Sequence, residues 1–226
     1  MLILGFFFLL RPGEYAKTEN EEATPFRLCD VHLLRGTVRL NVMLSPEADL
    51  HSATFVALEF TKQKNGVRGE LVGLGRSGHP TLCPVLAMIQ RIRHFRLHHA
   101  PPHLPLYSYH NDAQWHHITT ATLTQHLRWA TSALAATTGI SPDDISIRSL
   151  RSSGAMALLC ANVDPDKIRL LGRWRSDEML RYLHVQAIPL VTPMASLMVR
   201  HGHFHFIPNH RVGERGAAGA LEMPRA

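Results

Sequence analysis

Cysteine is scarce in this chain. Cys29, Cys83 and Cys160 are its only three, they lie far apart, and no Cys-x-x-Cys pair exists. An odd number without ligand or pairing spacing argues against a disulfide framework and against a zinc ribbon, and suits free thiols in a reducing compartment. Acidic residues are the minority charge: 18 Asp plus Glu face 24 Lys plus Arg, a net charge of +6 with histidine neutral. Sixteen histidines add positive charge as pH falls through their ordinary range, near about 6.5. A basic balance of this size favours a polyanionic partner and says nothing about fold. No apolar run is long enough to span a bilayer, which takes about 20 residues. The first ten residues form the nearest approach, but they lack a basic n-region, and Arg11-Pro12-Gly13-Glu14 follows in place of a small-residue cleavage site. That argues against a secretory signal and reads as a buried helix entered abruptly, as in a fragment or a chain that has lost an N-terminal part. Internal repeats are absent too.

What is present is ordinary globular material, 45% hydrophobic and 19% charged over 226 residues. This excludes disordered, collagen-like and coiled-coil classes, and the length suits one or two domains with a sizeable core. Residues 1–34 read as helical segments separated by a polar stretch at 18–25. Residues 35–43 alternate apolar and polar with the period of a half-buried strand. Residues 53–60 and 68–74 read as two more strands around the turn Lys62-Gln63-Lys64-Asn65-Gly66. The expectation is a small three-stranded antiparallel sheet followed by helices. Pro84 suits the first turn of a helix reaching about His98. A second helix spans 119–138, with Leu123, Leu127, Ala130 and Leu134 at helical spacing and Gly139 as a C-terminal stop. A third spans 148–161, a fourth opens at Asp164-Pro165, and Ser176 can cap a last helix through Tyr182. From about residue 201 a Gly-, His- and Arg-rich stretch reads as a loose tail.

Four segments stand together: Leu9-Leu10-Arg11-Pro12-Gly13-Glu14-Tyr15, the turn Thr61-Lys62-Gln63-Lys64, the helix start Arg148-Ser149-Leu150-Arg151, and Leu171-Gly172-Arg173-Trp174-Arg175-Ser176-Asp177 followed by Arg181-Tyr182-Leu183-His184. In this order and spacing they resemble the catalytic domain of the tyrosine recombinases, the phage-integrase superfamily, closest in flavour to those of Crypton, Ngaro and DIRS-like eukaryotic mobile elements. Tyr182 lies ten residues after Gly172 and 31 after Arg151, close to that family's arrangement. The resemblance runs from about Leu4 to His184. It implies an α+β, mainly helical fold with residues 1–200 as a catalytic domain, and residues 201–226 read as a tail. The N-terminal core-binding domain that the family places ahead of this region is expected to be absent, a departure from the family pattern.

It also implies DNA breakage and rejoining through a 3′-phosphotyrosine, with no cofactor and no metal. Breaking a phosphodiester in this way needs a nucleophile, charge stabilisation on the non-bridging oxygens, and a proton for the leaving 5′-oxygen. Tyr182 matches the nucleophile. Arg11 and Arg151 match the paired arginines, whose planar guanidiniums can grip a phosphate bidentately. Lys62, with Lys64 as fallback, matches the strand-turn general acid, and Glu14 matches an acidic residue that orients the first arginine. Arg148, Arg173 and Trp174 complete the site, with two departures from the family pattern. Position 148 usually holds His or Lys, and the position after Leu-Gly usually holds His or Trp. Arginine donates to phosphate but cannot serve as a base at neutral pH.

Arg91, Arg93, Arg96 and Arg128, with Lys64 and Arg175, read either as a solvated basic face or as a track for the DNA backbone. The histidine pairs at 98–99 and 116–117 and the run at 201–205 lack a carboxylate or cysteine to complete a ligand set at known spacing. The partners expected are DNA and a homo-oligomer, a synaptic tetramer, with no membrane. The location expected is the nucleus in a eukaryote or otherwise the cytoplasm. A catalytically silent remnant that keeps the fold and weak DNA binding is the alternative reading, and a His-rich metal-binding protein is a third.

Overall fold

The computed structural model describes residues 1–19, 24–61 and 69–174, together with Met179 and Met194. The chain divides into Met1–His184 and Val185–Ala226, and everything below concerns the first unit. Among the described residues are seven α-helices, a four-stranded antiparallel sheet and a two-stranded one, an α+β fold.

The larger sheet has the order β2-β1-β3-β4, built from β1 (Val31–Arg35), β2 (Val38–Leu40), β3 (Phe55–Phe60) and β4 (Glu70–Gly75). The expected three-stranded sheet is therefore short by one strand. Residues 31–34, read from sequence as part of a helical region, pair as β1 with both β2 and β3. A short apolar run such as Val31-His32-Leu33-Leu34 fits either period. The expected strand at 35–43 is cut by a two-residue turn at Gly36-Thr37, with Gly36 at φ +59°. On one face Val31, Leu33, Val56, Leu58 and Val72 are buried. On the other, His32 lies 2.9 Å from the Glu59 carboxylate.

Helix α4 (Pro84–Leu97) is the centre of the core. Val85, Met88, Ile89, Ile92 and Phe95 line one face and are all fully buried, the i, i+3, i+4, i+7 pattern of a helix laid on a sheet. Pro84 stands at its first position, as expected. α1 (Leu2–Phe7) packs on α4 and on α6 (Ser149–Cys160), α2 (Pro12–Tyr15) is a single turn, and α3 (Glu47–His51) was not read from sequence. The short strands β5 (Ser108–Asn111) and β6 (Gln114–His117) form a second hairpin.

α5 (Thr120–Thr138) begins at a Thr119 cap and ends at Gly139, in the left-handed conformation that glycine adopts without strain. Its expected apolar face is only partly covered. Leu123 is buried and Leu127 partly so, but Ala130 is exposed and Leu134 is 56% exposed. Helical spacing identifies a face, and the length of the neighbour decides how much of it is covered. Here the main neighbour is the short 3-10 helix Pro142–Asp144. α7 (Pro165–Gly172) is capped by Asp164, whose carboxylate accepts from the Asp166 and Lys167 amides, as expected from Asp-Pro.

Candidate active site

Two helix ends and two arginines build the candidate site. α1 stops at Phe8 and Leu9, where Leu9 has φ +49°. The Leu9 and Leu10 amides bond back to the Phe6 and Gly5 carbonyls. α7 stops the same way. Arg173 has φ +59°, and the Arg173 and Trp174 amides bond back to Leu170 and Arg169. Both are Schellman endings with a branched or long side chain where glycine is usual, at a cost of about 1–2 kcal/mol each. Such endings leave C-terminal carbonyls without helical partners.

Arg151 takes up one carbonyl from each end. From α6, its two terminal nitrogens donate to the Leu9 carbonyl and to the Gly172 carbonyl, each at 2.6 Å. Its guanidinium carbon lies 4.1 Å over the Trp174 ring, and the residue is 6% exposed. A guanidinium between two helix C-termini sits at the negative ends of both dipoles, which favours its charge. Room for this junction comes from glycine. A side chain at Gly154 would meet the Phe6 carbonyl oxygen and the Leu9 side chain, each at 2.5 Å, and one at Gly172 would meet the Trp174 ring.

Arg173 adds the second brace. One terminal nitrogen donates to the Phe8 and Leu171 carbonyls, each at 3.2 Å. The other donates to a Glu14 carboxylate oxygen at 3.0 Å. Its guanidinium carbon stacks 3.9 Å over the Phe60 ring, and its side chain is 1% exposed. Burial pushes this guanidinium's pKa below the ordinary arginine value, while Glu14 pulls it back up. Glu14 faces Arg11 as well. The same oxygen accepts the Arg11 amide at 2.7 Å, and the other oxygen accepts an Arg11 guanidinium nitrogen at 3.3 Å. The Arg11 side chain is 31% exposed, against 12% for Glu14. One buried carboxylate thus bridges a buried guanidinium and a half-exposed one.

Arg11, Glu14, Arg151, Arg173 and Trp174, singled out from sequence, come together here. Glu14 accepts from both the Arg11 amide and the Arg11 guanidinium. Arg173 and Arg151 differ from expectation in exposure. Arg151 turns both terminal nitrogens onto the main chain and Arg173 one, its other reaching Glu14, because two helices end beside them with open carbonyls. Arg148 is exposed at the position preceding α6, its amide bonded to the Ser146 hydroxyl at 3.3 Å. Lys62, Lys64, Arg175 and Tyr182 lie outside the described residues.

The basic residues further along have partners of their own. Arg93 is paired with Glu47. Arg96 donates to the carbonyls of Asn41, Val42 and Ser45. Arg128 donates to the carbonyls of Ile145 and Asp143, tying α5 to the 3-10 helix. Arg91 lies 4.6 Å over the Phe95 ring, and burial lowers its pKa to about 10. Helical spacing does not reveal the acceptors that Arg93, Arg96 and Arg128 find, nor that the Arg91 Nε and one of its terminal nitrogens are buried without a hydrogen-bond partner among the described residues.

Two contributors were not assigned from sequence. Phe60, which closes β3, gives Arg173 its stacking surface. Tyr15 is fully buried, and its hydroxyl donates to the Ile147 carbonyl at 2.8 Å. The signal for Tyr15 was its place directly after the Arg-Pro-Gly-Glu turn. Phe60 gave none beyond its apolar strand position.

Among the described residues no group of three or more His, Cys, Asp or Glu is arranged to hold a metal ion, and no helix is long and apolar enough to cross a membrane. Set against family models, curated proteins and solved structures, the chain matches none.

Proposed function

We propose that this chain is the catalytic core of a DNA strand-transfer enzyme of the tyrosine-recombinase kind. One observation carries the reading. Arg11 with Glu14, and Arg151 with Arg173, come from opposite ends of the unit and meet in one cluster, the Arg151 bond to Leu9 crossing 142 positions of sequence. Arg11 is the member whose guanidinium reaches the surface, and it supplies the grip on the non-bridging oxygens.

In the reaction proposed, the Tyr182 oxygen forms a bond to phosphorus and the bond from phosphorus to the 5′-oxygen breaks. The leaving oxygen takes a proton from Lys62 or Lys64, and the phenol proton passes to solvent, since Arg148 has no acceptor for it. Attack by a 5′-hydroxyl reverses these steps and rejoins the strand, so the phosphodiester energy is retained throughout.

A second reading has its own support. Arg151 is 6% exposed, with both terminal nitrogens committed to carbonyls, and Arg148 stands where a base is usual. Both features suit a remnant that keeps the fold and weak DNA binding without strand cleavage. A nicked duplex that loses its 5′-hydroxyl fragment on cleavage decides between the two. A covalent protein–DNA adduct that vanishes in Tyr182→Phe supports the enzyme, whereas DNA binding with no adduct at any pH supports the remnant.

A further inference from the structure

We propose that Arg173 is a positioning residue, which fixes the Glu14 carboxylate so that Arg11 is aimed outward at an anionic oxygen. The anion is taken to be a DNA phosphodiester, and only that clause rests on the recombinase reading.

Three donors hold the Glu14 carboxylate. Oε2 accepts both the Arg11 amide, at 2.7 Å, and Arg173, at 3.0 Å, while Oε1 accepts the Arg11 guanidinium at 3.3 Å. Rotating the carboxylate toward solvent would break all three. Arg173 cannot follow such a movement. Its backbone is held in a left-handed helix ending, its guanidinium lies on Phe60, and its other terminal nitrogen is on two carbonyls. Lysine would keep the charge there but could not hold the carboxylate and the carbonyls in one plane.

The charges point the same way. Two guanidiniums share the Glu14 carboxylate, and Glu70 also acts on the buried Arg173, so the charge left facing solvent is that of Arg11. Arg173 is 1% exposed in its side chain and Arg11 31%, so an incoming anion meets Arg11. A position read from sequence as a phosphate contact is thereby a support for another residue's contact.

The test uses the full chain and a short DNA duplex, with Arg11→Gln, Arg173→Lys, Glu14→Gln, and each of the last two combined with Arg11→Gln. Thermal melts identify variants that remain folded. Arg11→Gln is expected to weaken binding about tenfold and to lower the salt slope by about one. Arg173→Lys or Glu14→Gln should bring most of that loss, and adding either to Arg11→Gln should bring no more. Losses that add, or wild-type affinity in both folded single variants, would overturn the proposal. Should Arg173→Lys fail to fold, the nearly isosteric Glu14→Gln carries the cycle alone.

A second readout does not need DNA. The Arg11 amide proton, shifted downfield by its carboxylate bond, should move in the nuclear magnetic resonance spectrum of Arg173→Lys and stay fixed in Arg148→Lys. An Arg11 amide unchanged in Arg173→Lys overturns the positioning role. A wild-type chain that ignores DNA while the amide moves as expected supports the positioning role and retires the recombinase reading instead.

Discussion

The Tyr15 hydroxyl donates to the Ile147 carbonyl at 2.8 Å, so the turn that carries Arg11 is tied to the residue just before Arg148. The ring is fully buried beneath α1, 2.8 Å from where a side chain at Gly5 would begin. Burial, with Glu14 adding to it, pushes this phenol well above its ordinary pKa, so it stays a donor across the physiological range. Tyr15→Phe keeps the packing and leaves the Ile147 carbonyl without this donor. A loss of about 1–2 kcal/mol is expected, read as a lower urea midpoint with an unchanged slope.

Gly154 is the second place where a single atom should be felt. A methyl group there meets the Phe6 carbonyl oxygen at 2.5 Å, and a backbone atom in a helix cannot swing aside. Gly154→Ala should cost about 1–3 kcal/mol despite the better helix propensity of alanine. Gly172→Ala meets an aromatic side chain, Trp174, instead. It should displace the indole from Arg151 and alter the near-ultraviolet circular dichroism. A Gly154→Ala chain as stable as wild type would mean that α1 and α6 are further apart than described.

Acid should loosen the β5–β6 hairpin. The His94 Nε2 accepts the His110 amide at 3.1 Å, and His98 stacks on His110 with ring centroids 4.3 Å apart. Burial first, then Arg91, His98 and His110, hold the His94 pKa below its ordinary value. Its neutral form is therefore the one the fold favours. Stability from this group is complete above the unfolded value, about 6.5, and is lost as pH falls from there toward the lower folded value. Hydrogen exchange at the His110 amide, corrected for its intrinsic pH dependence, should lose protection as pH falls below about 6.5. His94→Gln should flatten that profile.

DNA affinity, on the reading proposed, should depend steeply on salt and weakly on sequence, because phosphate contacts dominate. About three such contacts imply a ~40-fold loss between about 50 and about 200 mM salt. Titration of a labelled duplex at the two salt levels measures this, and an unchanged affinity would remove DNA from the partners.

Strand cleavage should be slow at neutral pH and rise toward alkaline pH, since a phenol ordinarily titrates near about 10 and Arg148 cannot take its proton. Arg148→His should speed adduct formation at pH about 7 by supplying a neutral imidazole. Full wild-type activity at that pH would show that proton removal does not depend on position 148.

Punctuation residues made much of this fold legible. Pro84, Gly139 and Asp164-Pro165 placed the ends of three helices because each acts through its own backbone or cap chemistry. β5 and β6 went unread for the opposite reason. Asp112 and Ala113 turn the chain with φ +47° and +61°, a conformation that Asn-Gly would advertise and Asp-Ala does not. At the site, the family resemblance singled out Arg11, Glu14, Arg151, Arg173 and Trp174 as a set. They did not reveal that Arg151 and Arg173 face inward. That direction follows from the left-handed endings at Leu9 and Arg173, and neither residue type announces one.

The junction of α1 with α6 sets an order in time. A ribosome adds about 5–20 residues per second, so Phe6 and Leu9 emerge some ~7–30 s before the Gly154 surface they close on. During that interval the apolar first helix has α4 for company at best, and the Leu9 carbonyl waits for an arginine not yet synthesised. Arg151 arrives as a late latch, so nascent chains stopped short of it should be the ones that chaperones hold and proteases cut.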